Sequence, residues 1–85
     1  MSKQTKYLKK ILSGSSDANI PFDILRNILQ QYGFDERIRG SHHIFRKDGI
    51  EEKINLQKDG AKAKPYQVRQ VRSIFVKYKF STGEE

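Results

Sequence analysis

From residue 4 to 13 the apolar positions Tyr7, Leu8, Ile11 and Leu12 fall on one stripe, the spacing of an amphipathic helix, and Gly14 stops it. Ser13-Gly14-Ser15-Ser16-Asp17 is a turn-rich link. Phe22, Leu25, Ile28, Leu29 and Tyr32 then repeat at helical spacing, with Pro21 at the first turn and Gly33 where a left-handed C-terminal cap is wanted. After Gly33 the period drops to two. Phe34, Glu36 and Ile38 alternate with Asp35, Arg37 and Arg39, which reads as a strand ended by Gly40-Ser41. His42 to Lys47 reads as a second strand, Asp48-Gly49 as a two-residue type I′ turn, and Ile50 to Gln57 as a third strand. Residues 58–64 read as a polar loop, after which Pro65 opens a last helix with Val68, Val71, Ile74, Phe75 and Tyr78 on its apolar stripe.

The expected fold is therefore α+β: helix, three strands and helix, preceded by a short N-terminal helix. A three-stranded antiparallel meander with both helices on one face is the simplest way to bury these stripes. Residues 1–14 are expected to be a basic helical extension, 15–80 the domain and 81–85 a tail.

The turn also predicts which side chains share a face. A two-residue turn at Asp48-Gly49 pairs Lys47 with Ile50, Phe45 with Glu52, His43 with Ile54 and His42 with Asn55. One face then carries His43, Phe45, Ile50, Ile54 and Leu56, and should meet the helices. The other carries His42, Ile44, Arg46, Glu51, Lys53, Asn55 and Gln57. Glu52 is the misfit of the apolar face and is expected near a sheet end. His43 is thus expected in the core and His42 in solvent. Adjacent strand residues point apart, so the two histidines do not share a metal ion, and no metal site is expected. Asp35, Glu36, Asp48, Glu51 and Glu52 are dispersed beside basic residues and read as surface ion pairs rather than a catalytic acid and base.

Charge adds a partner class. Lys and Arg number 17 against 10 Asp and Glu, a net charge of +7 on 85 residues. Residues 1–13 hold Lys3, Lys6, Lys9 and Lys10, and residues 61–80 hold Lys62, Lys64, Arg69, Arg72, Lys77 and Lys79, neither run with an acid. Residues 14–60 nearly cancel, with seven basic and eight acidic residues. The positive field is therefore expected from the two ends of the chain, and it favours an anionic partner, nucleic acid before a membrane surface. The chain has no cysteine, which excludes a disulfide scaffold and a thiolate zinc site and agrees with a reducing cytoplasm. No apolar run approaches the ~18 residues of a membrane span, and no signal-peptide stretch follows the basic start. No cofactor is expected.

What remains for chemistry is an exposed histidine. An unperturbed imidazole titrates near pH ~6.5, so it can take a proton from a ribose 2′-hydroxyl while nearby Lys or Arg stabilise the charge developing on phosphate. From spacing alone, an RNA-cleaving enzyme, a non-catalytic module that binds RNA through phosphate and 2′-hydroxyl contacts, and a surface that docks an acidic protein all stay open.

Gly33-Phe34, then Arg39-Gly40-Ser41-His42-His43-Ile44-Phe45 and Asp48-Gly49, resemble the HicA toxins, small basic ribonucleases of type II toxin–antitoxin systems. Ser16 to Phe22 and the closing stretch Lys62-Ala63-Lys64-Pro65-Tyr66-Gln67-Val68-Arg69-Gln70-Val71-Arg72 are similar to a longer branch of that family, so the resemblance covers about residues 14 to 78. It implies a double-stranded-RNA-binding-domain-like fold, metal-independent cleavage of mRNA, growth arrest, a cytoplasmic location and neutralisation by a HicB-like antitoxin. The family's catalytic histidine follows Gly-Ser and lands on His42, with His43 as the fallback and Ser41 in support. Lys62, Lys64, Arg69, Arg72 and Arg46 are expected to hold the RNA backbone. Many members carry a Pro-x-His element at the end of the third strand, where this chain has Ile54-Asn55-Leu56-Gln57. Catalysis here would rest on one histidine.

Overall fold

The computed structural model describes residues 3–80, so the expected tail at 81–85 lies outside the described residues. In chain order the elements are α1 (Lys3–Ser13), a single 3₁₀ turn (Asp17–Asn19), α2 (Phe22–Gln31), β1 (Asp35–Arg39), β2 (His42–Arg46), β3 (Ile54–Asp59), β4 (Lys62–Ala63) and α3 (Pro65–Lys77). The fold is α+β, with an antiparallel sheet of order β1-β2-β3-β4. Among the described residues no helix is long and apolar enough to cross a membrane.

Local chemistry accounts for most of these boundaries. α2 ends in a two-bond cap: Gly33 N–H donates to Gln30 O and Phe34 N–H to Leu29 O, both at 3.0 Å. β1 and β2 are joined by Gly40-Ser41, where Gly40 has φ +59° and Ser41 does not enter the left-handed region. That is the pattern of a two-residue II′ turn with glycine first, and it makes Arg39 the direct partner of His42.

The Asp48-Gly49 turn behaves differently from its sequence expectation. A type I′ turn needs positive φ at both central residues, and only Gly49 has it, at +86°. The turn is closed by Ile50 N–H donating to Lys47 O at 3.0 Å, but it does not match the twist of a tight hairpin. Pairing resumes only at Phe45 with Ile54, followed by Ile44 with Asn55, His43 with Leu56 and His42 with Gln57. The third strand therefore starts at Ile54, not Ile50, and the register is displaced by two residues. A displacement of two preserves side-chain parity, so the expected faces survive. Glu52 is not in the sheet at all. It sits in the connecting loop, where Lys77 Nζ donates to it at 2.7 Å and Tyr78 OH at 2.6 Å.

The expected polar loop at 58–64 is a correction too. β3 runs on to Asp59 and turns at Gly60-Ala61 into β4, with Asp59 opposite Lys62 and Lys58 opposite Ala63. The chain before α2 holds this short strand: Ala63 N–H donates to Ile20 O at 2.9 Å, and Phe22 N–H donates to Ala61 O at 3.0 Å.

One face of the sheet is buried under the helices, and the other is open. Phe45, Ile54 and Leu56 meet Phe22, Leu25, Ile28 and Leu29 of α2 and Val68, Val71, Ile74 and Phe75 of α3. α1 belongs to the same core, burying Leu8 and Ile11 against α2 and α3, so the helix expected as an extension is packed into the domain.

Arg72, expected among the RNA-backbone contacts, is tied into the fold. Its guanidinium donates to Asp17 Oδ1 at 2.8 Å and Oδ2 at 3.2 Å, and to the Ile11 carbonyl at 3.1 Å. Asp17 raises the Arg72 pKa above its ordinary value, chiefly through these hydrogen bonds. The Ile11 carbonyl lies in the last turn of α1 and also accepts from Gly14 N–H at 3.3 Å, so Arg72 adds a second donor at the end of α1 while clamping the link behind it. Arg72→Ala is expected to cost about 1–3 kcal/mol, as loss of charge-assisted bonds to part-buried groups does. A urea midpoint unchanged from wild type would show that the clamp contributes nothing.

Candidate active site

His42 stands at the start of β2 on the open face of the sheet and is exposed. Its Nδ1 lies 3.2 Å from Asn55 Oδ1 on β3. A carbonyl oxygen only accepts, so Nδ1 carries the hydrogen and donates it, which leaves the lone pair on Nε2. Asn55 thereby sets both the tautomer and the tilt of the ring. Ser41, in the turn just before, accepts a hydrogen bond from Gln57 Nε2 at 3.0 Å. Gln57 is the cross-strand partner of His42, so two amide side chains of β3 position the turn and the ring together.

Across the other strand pair, Arg39 lies directly opposite His42. Paired residues on one face have Cβ atoms about 5 Å apart, within reach of a single phosphate. Arg37 lies opposite Ile44, and Asp35 opposite Arg46, on the same face. These arginines alternate along β1, a signal present in the sequence but hidden when charge is summed along the chain. Four of the eight acids of the middle segment are used elsewhere: Asp17 on Arg72, Asp23 and Glu36 on Arg26, and Glu52 on Lys77. The near-neutral middle is thus two-sided, with cations on the open face.

His43 points the other way, as expected. Its side chain is 15% exposed, its Nδ1 lies 2.6 Å from Glu36 Oε2, and its ring meets Phe22 edge-on at 4.9 Å. Glu36 is no surface ion pair. It accepts from Arg26 Nε at 2.7 Å and Nη2 at 2.9 Å and from Gln30 Nε2 at 2.7 Å. The Arg26 hydrogen bond, with help from His43 and Gln30, outweighs the opposing effect of burial and lowers the Glu36 carboxyl to a pKa of about 2. This ionised carboxylate holds His43 from behind the strand that presents His42. His43 is enclosed and oriented by the core, so it does not share the open face with His42.

The remaining expected RNA contacts divide. Arg46 is exposed on the open face. Lys62 and Lys64 lie at the opposite edge of the sheet, about two strand spacings, or ~10 Å, from β2. Lys62 Nζ donates to Asn19 Oδ1 at 3.1 Å, and Arg69 is exposed on α3, in the helical layer behind the sheet. The structure therefore does not gather Lys62, Lys64, Arg69 and Arg72 around His42. Tyr66 at the start of α3 is 57% exposed. Among the described residues no group of three His, Asp or Glu side chains is placed to hold a metal ion.

No family model, curated protein or solved structure matches this chain.

Proposed function

We propose that this chain is a metal-independent endoribonuclease of the HicA toxin type, acting on mRNA in the cytoplasm and neutralised by a HicB-like antitoxin. In this reading α2, β1, β2, β3 and α3 form a double-stranded-RNA-binding-domain-like core, with α1 and β4 added. The observation that carries the proposal is the placement of His42: exposed, fixed through Nδ1 by Asn55, and opposite Arg39 on a cationic sheet face.

Neutral His42 Nε2 removes the proton from a ribose 2′-hydroxyl. The 2′-oxygen attacks the adjacent phosphorus, and the bond from phosphorus to the 5′-oxygen breaks. Arg39 stabilises the negative charge that develops on the phosphoryl oxygens. The products are a 2′,3′-cyclic phosphate and a 5′-hydroxyl whose proton comes from solvent. His42 returns its proton to water to complete the cycle. Asn55 and Ser41 are positioning residues, and Ser41 keeps its own hydroxyl hydrogen free to donate to the phosphate.

A second reading, an RNA-binding module that cleaves nothing, draws support from one feature. Among the described residues His42 is the only histidine on the open face, so no second imidazole faces the leaving oxygen. The two readings separate in one assay. Labelled mRNA incubated with the protein in EDTA is expected to be cut. RNA that is bound but intact after prolonged incubation, with or without divalent ions, would leave only the binding module.

A further inference from the structure

The open face of the sheet is a built cationic surface rather than a scatter of charges. Arg37 and Arg39 of β1, Arg46 of β2 and Lys53 of the incoming loop rim a concavity of about 550 Å³. Ile44 lies among them, between Arg37 on one strand and Asn55 on the other. None of the four cations has an ion-pair partner among the described residues. Two acids also border the concavity, Asp35 and Glu36, and Glu36 is already held by Arg26, Gln30 and His43. Asp35 alone does not balance four positive groups. Like charges so close repel one another unless an anion sits between them.

The spacing fits a particular anion. Residues two apart on a strand are about 7 Å apart on the same face, and neighbouring strands are about 4.8 Å apart. Arg37 and Arg39 therefore form a row along β1, and Arg46 with Lys53 a second group across Ile44. This places charges at intervals comparable to successive phosphates of an extended strand, beside an apolar floor. A duplex suits this surface poorly, because its bases are stacked inside a convex rod and cannot reach the floor. An unpaired strand can lay a base face on Ile44 while its phosphates follow the rim.

We propose that this face is the track for a single, unpaired RNA strand, with phosphates on Arg37, Arg46 and Lys53, a base over Ile44, and the scissile phosphate delivered to Arg39 and His42. The proposal rests on the ribonuclease reading and names the form of substrate that the same site takes.

The test measures binding in a His42→Ala background, so that cleavage does not intervene. Fluorescence anisotropy compares an unstructured RNA of about 12 nucleotides with a blunt RNA duplex of the same length. The single strand is expected to bind at least about tenfold more tightly. Adding Arg37→Gln, Arg46→Gln and Lys53→Gln together should lower its affinity at least about tenfold and flatten the slope of log affinity against log salt by about 2, since each phosphate contact to a single strand contributes about 0.7. Lys3→Gln with Lys6→Gln, both exposed on α1, should change affinity less than about threefold. Thermal melts establish that each variant is folded. Unchanged affinity and slope in the triple variant, a preference for the duplex, or equal binding of poly-glutamate with the same losses would each overturn the track. Outcomes for the two claims are distinct. A wild-type protein that binds as expected but cuts nothing removes the nuclease and keeps the track. A triple variant on the wild-type His42 background that cuts RNA with unaltered KM keeps the nuclease and removes the track.

Discussion

His42→Ala is expected to lower RNA cleavage by about 10²–10⁴-fold, the usual contribution of a positioned general base, while the protein melts as wild type does. The two halves of this expectation have one origin. The ring lies on the open face and is exposed, so its removal opens no cavity in the core. Its polar partner, Asn55, is exposed too and can turn to water once the imidazole is gone. Asn55→Ala should show the signature of a positioning residue. It leaves His42 in place but frees the ring to take either tautomer, so kcat falls by less than in His42→Ala while KM changes little. Asn55→Asp keeps an acceptor at the same place and should recover part of the rate. Full activity in folded His42→Ala protein would remove His42 from the chemistry.

Glu36→Gln should cost about 2–4 kcal/mol of folding stability. Removing one partner of a buried pair strands the other charge, at about 3–5 kcal/mol for a fully enclosed pair. Here the carboxylate is 9% exposed but the Arg26 guanidinium is 28% exposed, which relieves part of that cost. His43→Ala, which removes a largely buried ring and its bond to the same carboxylate, should cost about 1–3 kcal/mol. The pH dependence carries a defined sign. Glu36 is lowered in the folded chain to about 2 from an ordinary value of 4.5. Its contribution is fully present above pH 4.5 and is lost as the pH falls from there through about 2. Glu52, lowered to about 2 by Lys77 and Tyr78, acts over the same window. The informative quantity is therefore the difference between wild type and Glu36→Gln. That difference should be largest near neutral pH and shrink steadily with acid. A difference independent of pH would mean that the carboxylate's charge is not what stabilises the network.

Much of the framework was legible because it rests on local rules. The stripe from Phe22 to Tyr32 and the stop at Gly33 need only helical spacing and a glycine cap. The opposed faces of His42 and His43 were legible for a less secure reason. The turn at Asp48-Gly49 was misjudged, since Asp48 does not take the left-handed conformation that a tight hairpin needs, but the resulting displacement is an even number of residues and the faces are kept. β4 was hidden because two residues cannot display a period, and the bonds that hold it come from Ile20 and Phe22. Arg72 was misassigned because its partner lies far away in sequence. Helical spacing puts its Cα on an outer side of α3, but only the tertiary fold brings Asp17 there. The cationic face escaped notice because Arg37 and Arg39 were balanced against acids nearby in sequence. In space Glu36, Asp17 and Glu52 turn to Arg26, Arg72 and Lys77, and Asp35 is left on the open face with the arginines.

The chemistry of the cut ends tests the role of His42 most directly. RNA cleaved by the wild-type protein in EDTA should yield fragments with 5′-hydroxyl and 2′,3′-cyclic phosphate ends in mass spectrometry, and 2′-O-methylation at the cleaved nucleotide should abolish the cut. Fragments with 5′-phosphate and 3′-hydroxyl ends, or cutting that ignores the 2′-O-methyl group, would contradict attack by the ribose hydroxyl and with it the role of His42 as its base.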